Sequence, residues 1–92
     1  MTIRSVKINV RGHVQGVGFR YSTQKLAQQR ELSGHAKNLN DGSVEIIATG
    51  DESDVLALVA WLNDGGPRFA KIDSITVAEM RENINTGRFS TL

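Results

Sequence analysis

Apolar and polar positions alternate near the start of the chain. Val6, Ile8 and Val10 stand against Lys7, Asn9 and Arg11, the period of two that marks a strand with one buried face. The period then changes. Phe19, Thr23, Leu26 and Ala27 recur at helical intervals and predict a helix from about Phe19 to Leu32. The stretch "SGHAKNLNDGSVEIIATG" reads as two short strands around the hairpin turn Asn40-Asp41-Gly42, with Val44, Ile46 and Ala48 on one face of the second. Gly50-Asp51 opens another helix, where Asp51 can accept a hydrogen bond as the N-cap and Glu52 and Asp54 suit the positive end of the dipole. Its buried stripe is Val55, Leu58, Val59 and Leu62, and Gly65-Gly66-Pro67 ends it. "AKIDSITVAEM" alternates less cleanly, with Ile72, Ser74 and Thr76 opposite Asp73, Ile75 and Val77, and predicts a fourth strand. "GRFSTL" offers a short fifth.

The order strand, helix, strand, strand, helix, strand predicts an α+β fold, the ferredoxin-like two-layer sandwich (βαββαβ). Two helices cover one face of an antiparallel sheet and leave the other face wet. In that topology the first and second strands run the same way with the third between them. Their C-terminal ends share one edge of the sheet, about 10 Å apart at the usual strand spacing. Arg20, beyond the first strand, and Asn38, near the end of the second, therefore reach toward one point.

Composition narrows the function. A chain of 92 residues suits one domain, residues 1–92. The 39% hydrophobic and 23% charged residues fit an ordinary globular protein, and a net charge of +1 gives no global field to attract nucleic acid or an anionic membrane. Cysteine is absent, which excludes disulfides and thiolate chemistry. "MTIRSVKINVRG" is a poor signal peptide, and no apolar run reaches the roughly 18 residues that span a bilayer. The expectation is a cytoplasmic protein.

The candidate chemistry sits in "GHVQGVGFRYSTQ", residues Gly12 to Gln24. Gly16 and Gly18 let the backbone take positive φ and admit a ligand closely. The first N–H groups of the following helix have no internal partners, and with the dipole they form a ready anion site. Arg20 adds a planar cation matched to phosphate oxygens. The same loop also suits a plain tight connection with a solvated arginine. It fits neither the Rossmann pattern, since Tyr21 stands where a glycine belongs, nor Walker A, which needs a Gly-Lys pair. Asn38 carries an amide able to donate and accept, and a strand-end asparagine bonding to the nearby turn is its other reading. His13 and His35 have no acidic cluster at metal-ligand spacing, so no metal is expected. Trp61 is expected to pack against the sheet. With no cysteine nucleophile, no convincing metal cluster and no obvious acid to protonate a poor leaving group, such a site could cleave only a phosphate whose leaving group departs easily. A carboxylate, with a conjugate-acid pKa near ~4, is such a group.

"GHVQGVGFR" (Gly12 to Arg20) and "GHAKNLNDGSVEIIATG" (Gly34 to Gly50) resemble the two signatures of the acylphosphatases, and "WLNDGGP" after the second helix is similar to a third family feature. The resemblance spans nearly the whole chain. It implies a metal- and cofactor-independent hydrolysis of small-molecule acyl phosphates to a carboxylate and inorganic phosphate, by a monomer. Arg20 would bind the phosphate together with the amides of Gln15, Gly16, Val17, Gly18 and Phe19, and Asn38 would orient the attacking water. Three positions depart from the family pattern. Glu31 stands where a glycine is usual, after Arg30 in place of an aliphatic residue, and His35 replaces an aromatic; these bear on stability rather than chemistry. Two competing classes are a non-catalytic phosphate-binding module and a single-sheet RNA binder. The second would need aromatic residues on the first and third strands, which have none.

Overall fold

The structure, a computed structural model, describes residues 2–92. They run as β1 (Ile3–His13), α1 (Phe19–Gln29), β2 (Ser33–Asn38), β3 (Val44–Asp51), α2 (Glu52–Asn63), β4 (Lys71–Glu79) and β5 (Phe89–Thr91). The sheet order is β4-β1-β3-β2-β5. β1 pairs antiparallel with β3 and β4, and β2 pairs antiparallel with β3, so β1 and β2 flank β3 and point the same way. This is the ferredoxin-like order expected. One correction applies: β5 runs parallel to β2, which makes the sheet mixed rather than wholly antiparallel. β4 and β5 lie at opposite edges, so the chain crosses the width of the sheet before it pairs again.

The core lies between the sheet and the two helices. Val6, Ile8 and Val10 of β1 and Val44, Ile46 and Ala48 of β3 meet Phe19 and Ala27 of α1 and Val55, Leu58 and Leu62 of α2. Each fully buried Val, Leu, Ile or Phe contributes about 1.5–3 kcal/mol. Leu26 and Val59, expected in the buried stripes, are partly buried and pack against this core, as does Trp61.

α1 ends earlier than its apolar pattern suggests. Arg30 is its C-cap, and Glu31 takes φ 57, the positive-φ non-glycine among the described residues. Glu31 N–H donates to Gln28 O at 3.1 Å and Leu32 N–H to Ala27 O at 2.9 Å, the paired bonds of a Schellman exit. α2 begins with Asp51 at the N-cap position, but the Asp51 side chain accepts from the Ser53 hydroxyl at 2.5 Å and makes no cap bond to a backbone N–H. The Glu52 N–H is met instead by Thr2 O at 2.8 Å.

The uneven alternation of β4 has a local cause. Its register against β1 shifts between Arg11 and Gly12, which pair with Ser74 and Ile72 and leave Asp73 as the extra residue of a bulge. Ile72 and Ile75, three apart, are therefore both partly covered. Gly12, at φ 138, fits that bulge because a Cβ would lie 2.1 Å from Lys71 O.

The sheet face away from the helices is not open throughout. Ser5, Thr49 and Ser33 form a row across β1, β3 and β2, and all three are buried. The Ser5 hydroxyl bonds the Thr49 hydroxyl and donates to Asn83 Oδ1; Ile84 N–H donates to Thr49 Oγ1 at 3.1 Å and Gly87 N–H to Ser33 Oγ at 3.0 Å. These hydroxyls hold the β4–β5 connection against the face that the pattern left wet.

Candidate active site

The loop between β1 and α1 is pinned at both ends by apolar side chains, Val14 and Phe19, each about 1% exposed. Between them Gly16 and Gly18 take φ 76 and 78. A Cβ built on either would meet nothing within 4 Å, so it is the backbone angle that favours glycine there, and the space beside it is open to a ligand. Gly18 is the N-cap of α1 and has no side chain to cap with. The first rung of the helix is Ser22 N–H to Gly18 O at 3.0 Å, which places the N–H groups of Phe19, Arg20 and Tyr21 ahead of the ladder. Among the described residues, the N–H groups of Gln15, Gly16, Val17 and Gly18 find no backbone acceptor. Such a cluster of free donors at the positive end of a helix favours an anion.

Asn38 reaches the same place from β2. It has the parity of Ala36, which is buried beneath the helices, so its side chain projects to the helix side of the sheet. Arg20 Nη1 donates to Leu92 O at 2.7 Å, and the Asn38 N–H donates to that same oxygen at 3.1 Å. The guanidinium tip and the Asn38 backbone thus lie within two hydrogen-bond lengths of each other. A cavity of about 190 Å³ is lined by Gly16, Gly18, Arg20, Tyr21, Gln24 and Asn38, with Val14, Phe19 and Thr91 completing it. Asn38 Oδ1 is buried and has no hydrogen-bond partner in the protein. An orphaned buried acceptor costs about 1–3 kcal/mol unless a bound molecule satisfies it. The convergence inferred from topology is present.

Two of the expected residues contribute differently. Neither Gln15 nor Val17 lines the cavity. Val17 packs against the core. Gln15 Nε2 donates to Leu39 O at 2.8 Å and to Ser43 O at 2.9 Å, tying the glycine loop to the turn that follows Asn38. That bridge fixes the two halves of the site relative to each other, and sequence reasoning missed it. Tyr21, Gln24 and Thr91 were also unforeseen. Gln24 lies one helical turn after Arg20 on the same face, so its place was open to inference, whereas nothing in the chain order announces Thr91.

The turn itself is braced. Asp41 Oδ1 accepts from Ser43 N–H at 3.0 Å and from the Ser43 hydroxyl at 2.5 Å, while Arg11 Nη2 lies 3.1 Å from Asp41 Oδ2. The Ser43 hydroxyl and N–H bonds, then the charge of Arg11, hold the Asp41 carboxyl below its ordinary range. Asn9 Nδ2 adds a bond to Ser43 Oγ at 3.0 Å. Away from the cavity, His35 Nε2 sits 3.0 Å from Glu45 Oε1, and His13 is exposed at the end of β1. Among the described residues no group of three His, Cys, Asp or Glu could hold a metal ion.

A family model described as acylphosphatase matches residues 6–91. Similar solved structures include an acylphosphatase from Bacillus subtilis, 42% identical with a TM-score of 0.88 and covering 99% of each chain. An acylphosphatase from Coxiella burnetii is 32% identical with a TM-score of 0.87, over 98% of this chain and 93% of that one. HypF from T. kodakarensis is 34% identical with a TM-score of 0.83, over 97% of this chain but only 12% of its own.

Proposed function

The chain belongs to the acylphosphatase family, and from that premise we propose how its residues hydrolyse the carboxyl–phosphate bond of an acyl phosphate. The phosphoryl group sits in the glycine loop, where the N–H groups of residues 15–19 and the Arg20 guanidinium share its charge. Guanidinium has five donors, so the bond to Leu92 O orients Arg20 and still leaves donors for phosphate. Asn38 Oδ1 accepts a hydrogen bond from a water and aims its oxygen at phosphorus, opposite the acyl oxygen. The water oxygen bonds to phosphorus as the acyl oxygen–phosphorus bond breaks. The electron pair leaves with the carboxylate, and the water's proton passes to phosphate or solvent. No general acid is needed, because a carboxylate departs unprotonated. Positioning and charge compensation supply the rate.

The observation that carries this reading is the buried, partnerless Asn38 oxygen in the cavity that Gly16, Gly18 and Arg20 also line. We read residues 1–92 as one catalytic domain acting as a cytoplasmic monomer on small molecules, with no nucleic acid, membrane or metal involved. No helix among the described residues is long and apolar enough to cross a membrane.

Purified protein is expected to release benzoate and phosphate from benzoyl phosphate in the presence of a chelator. Arg20→Ala should lower kcat and raise KM together. Asn38→Ala should lower kcat by about a hundredfold, the scale of losing one preorganised hydrogen-bonding group, while inhibition by inorganic phosphate stays unchanged. Full kcat in Asn38→Ala would remove the water-orienting role, and binding of phosphate without turnover would make the protein a binding module instead.

A further inference from the structure

Two strand ends meet at one wall of the phosphate cavity. β5 pairs parallel with β2, with Ala36 opposite Thr91, and the pairing runs on as Leu92 N–H donates to Ala36 O at 2.8 Å and Asn38 N–H to Leu92 O at 3.1 Å. Thr91 has the parity of buried Phe89, so its side chain projects to the same side of the sheet as Ala36 and Asn38, and it lines the cavity with Asn38. Its neighbours there are tied to the β5 end of the chain: Gln24 Nε2 donates to Phe89 O at 2.9 Å and Arg20 Nη1 to Leu92 O at 2.7 Å. Among the described residues the Thr91 hydroxyl meets no such partner, and neither does the buried Asn38 Oδ1. Asn38 stands two residues beyond the position opposite Thr91. A strand spacing of about 4.8 Å and a rise of about 3.3 Å per residue put their Cα atoms about 8 Å apart. Oδ1 is three bonds from its Cα and Oγ1 two, so side chains leaning together can leave about 5 Å between the oxygens. That is too far for a direct hydrogen bond and is the span of one bridging water at about 2.8 Å from each.

Resting on the acyl phosphate reading above, we infer that Thr91 is a second catalytic contact of the attacking water: Asn38 Oδ1 accepts one of the water's hydrogens and Thr91 Oγ1 accepts the other. A water held through one hydrogen still turns about that bond. Held through both, it keeps a lone pair in one direction, toward the phosphoryl group in the glycine loop. Thr91 is exposed, so its own proton turns outward to solvent and leaves the hydroxyl oxygen free to accept. The bond changes are those of the hydrolysis itself. The water oxygen bonds to phosphorus, the acyl oxygen leaves with its electron pair as carboxylate, one water proton passes to phosphate or solvent, and Thr91 keeps its own proton throughout.

The test is Thr91→Val, which keeps the shape and the β-branch of an exposed residue and removes only the hydroxyl, so the urea midpoint should hold. Its kcat is expected to fall about tenfold for acetyl phosphate and for benzoyl phosphate alike, with KM and inhibition by inorganic phosphate within about twofold of the intact enzyme. Thr91→Ser restores the hydroxyl and should recover most of the loss. Because both residues hold one water, Thr91→Val made on top of Asn38→Ala should cost less than about twofold more. An unchanged kcat in Thr91→Val, or full additivity with Asn38→Ala, would overturn the shared water. Weaker phosphate inhibition would move Thr91 to the phosphoryl group, and a loss confined to one of the two substrates would move it to the acyl group; either overturns the proposal and leaves the hydrolysis standing. Turnover of neither substrate by the intact enzyme would remove the hydrolysis itself, and the role of Thr91 with it.

Discussion

Two helix exits in this chain have the same hydrogen bonds and different residues. After α2, Gly65 N–H donates to Leu62 O and Gly66 N–H to Trp61 O, with Gly65 at φ 106; after α1, Glu31 takes the corresponding place at φ 57. A side chain in the left-handed region costs about 1–2 kcal/mol that glycine does not. Glu31→Gly should therefore stabilise the fold by about 1 kcal/mol, which for a domain this size raises Tm by roughly 4–8 °C. Calorimetry decides it, and an unchanged or lower Tm would mean that the Glu31 side chain makes up the strain elsewhere. Gln15 tests a different local argument. Its amide is the bond between the glycine loop and the Leu39–Ser43 turn. Gln15→Ala leaves two carbonyls to find water and should cost about 1–2 kcal/mol of stability. It should also lower kcat more than the binding of phosphate, because the loop and Asn38 lose their fixed relation; weaker phosphate binding with kcat unchanged would assign Gln15 to phosphate binding alone.

At the scale of elements the glycines separate into two kinds, and substitution tells them apart. Gly34 on β2 has φ 141, and a Cβ there would lie 1.8 Å from Ile47 O on β3, a clash that neither backbone can relieve while the ladder holds. Gly34→Ala should unfold the domain or cost more than ~4 kcal/mol. Gly16→Ala meets no atom and carries only the strain of its φ, about 1–2 kcal/mol, so it should fold. Its methyl group would occupy the space in which the proposed phosphate sits, so KM should rise while the urea midpoint falls by no more than that strain accounts for. Loss of folding in Gly16→Ala would show the loop to be structural. The same elements show what a one-dimensional reading could reach. β1, β3 and α2 carry clear periods and β2 is marked by the hairpin turn after it, while the period of α1 runs past its end because Glu31 stands at the positive-φ exit where glycine would mark the stop; their order places Arg20 and Asn38 together. β4 was blurred because a bulge at Asp73 breaks its alternation, and a bulge is set by the partner strand rather than by β4 itself. The orphaned Asn38 oxygen, the Gln15 bridge and the shared Leu92 oxygen depend on distances between segments far apart in sequence, which no local pattern encodes.

For the whole molecule, charge on the face opposite the helices links stability to pH. Glu45 on β3 stands between His35 of β2 and Lys7 of β1, with Lys7 Nζ 3.5 Å from Glu45 Oε2. The His35 hydrogen bond, then the charge of Lys7, hold the Glu45 carboxyl below its usual value of 4.5, and Asp41 is held low by its Ser43 bonds. A carboxyl whose pKa is lowered by folding stabilises the native state above its unfolded pKa and ceases to do so as pH falls through the folded value. The loss therefore falls below about pH 4, in the acid limb, and not near neutrality. Urea midpoints of the native protein and of the Glu45→Gln, Asp41→Asn double variant should differ at pH 7 and converge by about pH 2–3, because amide and protonated acid are close isosteres. The Asp41 side chain is about half exposed and the Glu45 side chain only 19% exposed, so the Asp41 share of the gap is small and should narrow most in high salt. A gap that stayed constant from pH 7 to pH 2 would mean that the two side chains act through shape or neutral hydrogen bonds, and that the acid sensitivity of this fold resides in other carboxyls.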